Sequence, residues 1–165
     1  MPHSRIAIYP GSFDPVTYGH LDIIKRSLRI FDKVIVAVAR NSQKNSLFSI
    51  DERVQLLQTV LKAEPRVSVD TFTGLLIDYV AAQKAHVVIR GLRAISDFEY
   101  EFQIAQMNST IGNEVETLFM MTSVQYGYLS SSIVREVCSL GANVDSFVPP
   151  EVKAAMLDKY NITTS

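Results

Sequence analysis

Arg5-Ile-Ala-Ile-Tyr-Pro-Gly-Ser-Phe-Asp-Pro-Val-Thr-Tyr-Gly-His20 joins a short apolar strand to a helix, with the break at Pro10-Gly11 and a histidine on the helix that follows. Such a junction leaves backbone N–H groups unpaired at a helix N-terminus, where their dipoles favour an anion. Gly11 and Gly19 let that anion come close to the backbone. Thr17 and His20, three residues apart, fall on one face of the first turn. The stretch reads as a strand, turn and helix that hold phosphate.

Beyond it, apolar β-rich runs near 5–9, 33–39, 66–71, 86–89 and 116–121 alternate with helical periodicity near 18–31, 50–63, 74–84, 97–111, 131–140 and 150–160. Alternation of this kind means a parallel sheet. Val34 to Val38 and Val87 to Ile89 contain no polar residue, as strands do when helices cover both sides. The expected fold is α/β, a doubly wound, Rossmann-like parallel sheet of five strands with helices on both faces. With 165 residues, 47% hydrophobic and 20% charged, the chain fits a single domain spanning 1–165. Ser49-x-x-Glu52 and Ser96-x-x-Glu99 each spell a capping box at a helix start.

A net charge of −1 and a pI near 6.3 give no electrostatic footprint for nucleic acid. Cys138 is the one cysteine, so no internal disulfide forms, and no Cys/His cluster suggests a metal site. It reads as a packed thiol. The N-terminal Met-Pro-His-Ser-Arg lacks an apolar signal core, and the longest apolar run is Val34 to Ala39, so a cytoplasmic protein without membrane contact is expected.

In open α/β sheets the ligand sits beyond the carboxyl ends of the strands, where strand order reverses. The first strand end carries Gly11-Ser12-Phe13 with His20, the second Arg40 to Lys44, the third Thr73 to Leu76, the fourth Arg90-Gly91-Leu92-Arg93 and the fifth Tyr126 to Ser132. An isolated histidine would cap or pack, but on the first turn of a phosphate-facing helix His20 can donate to a non-bridging phosphate oxygen and stabilise transition-state charge. Its protonation state stays open, because the helix dipole lowers its pKa and a bound phosphate raises it. Arg90 and Arg93 offer bidentate phosphate binding. Lys44 is either a ligand or a solvated loop residue. One of Ser130, Ser131 and Ser132 must cap the next helix, and together they form a second anion site, with Tyr126 and Tyr128 placed to flank a base or ribose. Asp97 and Glu101 favour the dipole of their helix, or Glu101 holds a ribose hydroxyl. That helix spreads Phe98, Tyr100, Phe102, Ile104, Met107 and Ile111 over more than one face, which means either packing within the monomer or an oligomer interface.

Three blocks, Tyr9-Pro-Gly-Ser-Phe-Asp-Pro-x-Thr-x-Gly-His20, Ile89-Arg-Gly-Leu-Arg-x-x-x-Asp-Phe-Glu-Tyr-Glu101 and Leu129-Ser-Ser-Ser132, resemble the bacterial phosphopantetheine adenylyltransferases over essentially the whole chain. The first block alone is shared with the wider nucleotidyltransferase superfamily, whereas the Arg90–Glu101 block is far more specific. Thr17, where many superfamily members carry His, looks like the phosphopantetheine branch. Tyr126 departs from the family's usual Trp and Leu129 from its usual Ile.

The resemblance implies transfer of AMP from ATP to 4′-phosphopantetheine, giving dephospho-coenzyme A and pyrophosphate in coenzyme A biosynthesis, with His20 catalytic. It implies ATP contacts at Ser12, Phe13, His20, Gly91, Leu92, Arg93, Glu101, Tyr126, Gly127, Tyr128, Leu129, Ser130, Ser131 and Ser132. For 4′-phosphopantetheine it implies Ser12, Lys44, Leu76 and Arg90. Mg²⁺ would ride on the ATP phosphates with no protein metal ligand, coenzyme A is a further candidate ligand, and a homohexamer is expected. The alternatives are another small nucleotidyltransferase, of cytidylyl or nicotinate-mononucleotide type, and a noncatalytic nucleotide or coenzyme A sensor.

Overall fold

The computed structural model describes residues 4–40, 45–93, 95–112 and 114–163, and of residues 95–97 the backbone. Strands β1 (Ile6–Gly11), β2 (Lys33–Ala39) and β3 (Val67–Phe72) are laid outward in turn. The chain then returns to add β4 (Val87–Leu92) and β5 (Glu116–Met121) on the other side of β1. All pairings are parallel, and the order β3-β2-β1-β4-β5 puts the reversal between β1 and β4. β1 and β2 stay registered from Ile6↔Lys33 to Gly11↔Val38, whereas β1 and β4 pair only at Ala7↔Val87 and Ile8↔Val88. Past Ile8 these two strands part, and a cleft lined by Pro10, Gly11, Arg90 and Gly91 opens at the reversal.

The connections are α1 (Tyr18–Ser27), α2 (Ile50–Val60), α3 (Leu76–Ala82) and α4 (Ile95–Ile111), followed after β5 by a short 3₁₀ turn at Val124–Tyr126, α5 (Ser131–Ser139) and α6 (Pro150–Lys159). Strand alternation divides the core. Ala7, Val34 and Val36 pack with Ile23, Ile24, Leu57, Val134 and Met156 on the side of α1, α2, α5 and α6. Ile8, Ile35 and Val88 pack with Ile77 and Val80 of α3 on the other. Each fully buried Val, Ile or Leu contributes about 1.5–3 kcal/mol, which is why strands without polar residues are stable here. Cys138 is buried in the first of these cores.

Several boundaries differ from the sequence expectation, each for a local reason. α3 begins at Leu76 because Gly74 has φ +81, and it stops at Ala82 ahead of Lys84 at φ +53; neither angle fits a right-handed helix. β4 runs on to Leu92 because β5 stays registered with it through Leu92↔Met121, so Arg90 and Gly91 belong to a strand and not to a loop. The Ser49–Glu52 capping box forms as read, with Glu52 N–H donating to Ser49 Oγ at 3.2 Å and Ser49 N–H to Glu52 Oε2 at 2.8 Å. Ser96 is no N-cap, since α4 is already helical at Ile95. The apolar residues of α4 stay outside: Phe98, Tyr100, Phe102, Ile104, Met107 and Ile111 are 40–64% exposed, so packing within the monomer does not account for them.

Candidate active site

A cavity of about 600 Å³ fills the cleft at the carboxyl ends of the central strands. His20 reaches it through the cap of its own helix. Thr17 is the N-cap of α1, its Oγ1 accepting from His20 N–H at 3.4 Å, while Thr17 N–H donates to His20 Nδ1 at 3.0 Å. This is a capping box with imidazole where Glu or Gln usually stands. Because Nδ1 accepts a backbone hydrogen bond, the proton of the neutral ring sits on Nε2, leaving one donor on a ring that lines the cavity. Burial, and then the nearby Arg93 guanidinium, push the His20 pKa down to about 4. The group is therefore a neutral donor at pH 7 in the free protein.

The turn before α1 is held in a conformation that ordinary residues avoid. Phe13 has φ +48 and is buried, its ring edge-on to Tyr9 at 5.4 Å and to His20 at 5.0 Å. A left-handed non-glycine residue costs roughly 1–3 kcal/mol and persists only where its surroundings fix it. Gly11 is part of that fixing, since a Cβ there would lie 3.0 Å from two Phe13 ring carbons. Gly11→Ala is expected to displace the ring, distort the cavity wall and destabilise the fold by about 1–3 kcal/mol. Thermal unfolding checks this, and an unchanged midpoint would mean that the ring yields freely.

Asp14, fully buried, ties this turn to two helices. Its carboxylate accepts from Leu47 N–H and Phe48 N–H, both at 2.9 Å, and lies 3.6 Å from Arg53 Nε and 3.5 Å from Arg135 Nη1. Arg135 Nη1 also donates to the Asp14 carbonyl. Arg53, itself buried, donates to Phe48 O at 2.9 Å and to Ser12 O at 3.3 Å. Sequence reasoning missed all three residues as site elements, because an Asp before Pro looks like an ordinary turn residue and each arginine is a lone charge on a helix. Arg135 lines the cavity, three residues past Ser132 and so on the next turn of the helix those serines open. That spacing was the available signal.

Across the cavity, Arg90 makes a bidentate pair with Glu101, Nε to Oε2 at 2.7 Å and Nη2 to Oε1 at 2.5 Å, and donates from Nη1 to Pro10 O at 3.2 Å. Glu101, read from the sequence as favouring its helix dipole or holding a ribose hydroxyl, is here paired with Arg90 and orients it. Arg93 Nη1 donates to Leu129 O at 3.4 Å. Ser130 is the N-cap of α5, accepting from Ile133 N–H at 3.2 Å, while Ser131 Oγ donates to Pro15 O at 2.7 Å and Ser132 Oγ lies 3.2 Å from Ser130 Oγ. Tyr126 stacks on Tyr18, with ring centroids 6.5 Å apart.

Of the expected site residues, Ser12, Phe13, His20, Arg90, Gly91, Arg93, Glu101, Tyr126, Leu129, Ser130, Ser131 and Ser132 line this cavity. Leu92 is buried and its carbonyl accepts from Thr122 N–H at 2.9 Å, Gly127 closes the 3₁₀ turn, and Tyr128 faces outward against Phe147, so none of the three is on the wall. Leu76 lines a smaller adjoining pocket of about 130 Å³ that shares Arg90, Tyr100 and Glu101. Lys44 lies outside the described residues.

Residues 8–137 match the Cytidylyltransferase-like family. Phosphopantetheine adenylyltransferases from Geobacter metallireducens and Geobacter sulfurreducens are 69% and 70% identical over 157 residues, covering 95% of this chain and 96% of each relative. The chain belongs to the phosphopantetheine adenylyltransferases. A crystal structure described as a nicotinate-nucleotide adenylyltransferase from Vibrio parahaemolyticus superposes with a TM-score of 0.73 at 20% identity, covering 98% of this chain and 97% of that one. It shares the five-stranded, doubly wound fold. The cavity of this phosphopantetheine adenylyltransferase is lined by Arg90, Arg93 and Arg135 together with a neutral histidine donor.

Proposed function

We propose that this cavity transfers an adenylyl group from ATP to 4′-phosphopantetheine, giving dephospho-coenzyme A and pyrophosphate. The observation that carries the reading is the set of Arg90, Arg93 and Arg135 around the capped, neutral His20, beside a second pocket with apolar walls from Leu76, Val88, Ile104 and Ala105. Phosphates belong with the arginines, and a long, weakly polar acceptor arm belongs in the second pocket. Family membership places the step in coenzyme A biosynthesis.

An oxygen of the acceptor phosphate bonds to the α-phosphorus as the bond from that phosphorus to the bridging oxygen breaks, and pyrophosphate leaves with that electron pair. A phosphate nucleophile is already anionic, so no general base is needed. Catalysis rests on aligning two mutually repelling anions and on stabilising charge at the α-phosphate. Arg90, held flat by Glu101 and Pro10 O, presents a fixed cation to the acceptor phosphate; Lys44 joins it by resemblance alone. Arg93 and the Ser130–Ser132 segment face the triphosphate. His20 Nε2–H donates to a non-bridging α-phosphate oxygen.

Mg²⁺ is proposed to arrive on the ATP phosphates. Glu101 on the cavity wall is engaged by Arg90, and among the described residues no group of three His, Cys, Asp or Glu is placed to hold a metal ion. The exposed apolar residues of α4 are proposed to pack against other copies of the chain in a homohexamer, which a clean monomer in sedimentation would refute. Among the described residues no helix is long and apolar enough to cross a membrane.

Pyrophosphate release with ATP, Mg²⁺ and 4′-phosphopantetheine tests the reaction, run beside nicotinate mononucleotide with ATP and glycerol 3-phosphate with CTP. Release with phosphopantetheine alone is expected. Release only with a rival pair would overturn the acceptor assignment, and binding without release in any pair would make the chain a sensor.

A further inference from the structure

Tyr9 carries a hydroxyl that no step of the proposed reaction uses. The residue stands on β1 and is 6% exposed, its ring edge-on to Phe13 and tilted against His20 at 6.4 Å. Among the described residues this hydroxyl has no hydrogen-bond partner in the protein. Among the same residues, no fully enclosed side-chain nitrogen or oxygen lacks a partner. The Tyr9 oxygen is therefore not enclosed, and its outlet is the cavity that Tyr9 lines. A phenol buried to this degree normally finds a partner, because desolvating an unpaired hydroxyl is costly.

The surroundings say what the missing partner is. Burial opposes ionisation of the Tyr9 hydroxyl, the Arg90 and Arg93 guanidiniums favour it, and the Glu101 and Asp22 carboxylates oppose it. Arg90 comes from the far side of the reversal and Arg93 from just beyond it, so on the adenylyl-transfer reading Tyr9 stands where the acceptor phosphate and the triphosphate meet. A group seated there is a phosphoryl group, whose non-bridging oxygens only accept hydrogen bonds. Burial raises the phenol pKa well above its ordinary value, so the hydroxyl stays protonated and can only serve such a group as a donor.

We propose that Tyr9 is a substrate-binding residue, its Oη–H donating to a non-bridging oxygen of the phosphoryl group held between Arg90 and Arg93. The inference rests on the adenylyl-transfer reading and adds a second donor, from β1, beside the helix cap that carries His20. Two donors fix the rotation of a phosphoryl group about its bridging bond, which one donor leaves free; alignment for in-line attack depends on that rotation.

Tyr9→Phe removes the oxygen and keeps the ring contacts. In the ligand-free protein Tm should stay the same or rise, because an unpartnered hydroxyl is lost. The increase in Tm on adding ATP with Mg²⁺, or inorganic pyrophosphate alone, should shrink, and kcat/KM should fall about 10- to 100-fold, as for a hydrogen bond to a charged group. A ligand-free Tm that drops by several degrees would overturn the proposal by revealing a structural partner. So would a kcat/KM within twofold of wild type. Wild-type silence with ATP and 4′-phosphopantetheine would instead defeat the adenylyl-transfer reading, while the pyrophosphate-induced Tm difference between wild type and Tyr9→Phe would still report on the phosphate contact.

Discussion

His20→Ala should lower kcat by about 10²–10³, the loss seen when one preorganised oxyanion donor is removed. The cavity supplies the reason: a neutral imidazole whose single N–H is fixed on Nε2 by the Thr17 bond to Nδ1. Alanine also breaks the capping box, so the variant should lose about 1 kcal/mol of stability, some 2–4 °C in Tm for a chain of this size. A second variant separates the two losses. His20→Glu puts the preferred capping residue at the same position, so Thr17 N–H regains its acceptor and Tm recovers, while the donor is still missing and kcat stays low. Recovery of both would make His20 a cap and nothing more, and an unchanged kcat in His20→Ala would remove its catalytic role.

The same geometry sets a pH signature. With the folded-state pKa at about 4, the His20 ring of the free protein should show no titration between pH 5.5 and 8 by NMR, and bound triphosphate should move its pKa upward. The sign for stability follows from which state holds the proton. Below about 6.5 the unfolded chain protonates this histidine and the folded chain does not, so its contribution is complete above about 6.5 and is lost as pH falls toward about 4.

Local pattern carried most of this fold. Val34 to Val38 and Val87 to Ile89 announced strands covered on both sides, and Ser49-x-x-Glu52 announced a helix start, because each depends on neighbours in sequence alone. The Ser96 box failed for the complementary reason: the chain was already helical one residue earlier, which a spacing rule does not register. Arg90, Arg93, His20 and the serines were legible as site residues because phosphate chemistry narrows the choice of side chains at strand ends. Glu101 was legible as a polar residue but not as the partner of Arg90, and the Asp14–Arg53 pair was not legible at all. Those contacts join residues 11 and 39 positions apart, across elements whose relative placement only the sheet order fixes. Tyr9 was quoted in a motif and passed over, since nothing in a sequence tells whether a buried phenol has a partner.

Asp14→Ala should have the largest effect on stability, a loss of about 3–5 kcal/mol from a total that for most domains is only about 5–15 kcal/mol. Removing the carboxylate leaves the Arg53 guanidinium buried without its countercharge and strips Leu47 N–H and Phe48 N–H of their acceptors. Breaking one side of a buried pair is costly for that reason, whereas replacing both partners is much less so. Asp14→Ala with Arg53→Met should therefore regain a substantial part of the lost stability, measured as the guanidinium chloride midpoint at unchanged slope. Activity should not return with it, because Arg53 also holds Ser12 O at 3.3 Å and so sets the turn against which the phosphates rest. A stable but inactive double variant would mean that the buried charges keep the anion turn in shape more than they hold the fold together. If the single variant lost less than about 1 kcal/mol, as an exposed pair would, water must reach Arg53 in the folded state, and the pinning of the Ser12–Phe13 turn would have to come from Gly11 and the Phe13 ring instead.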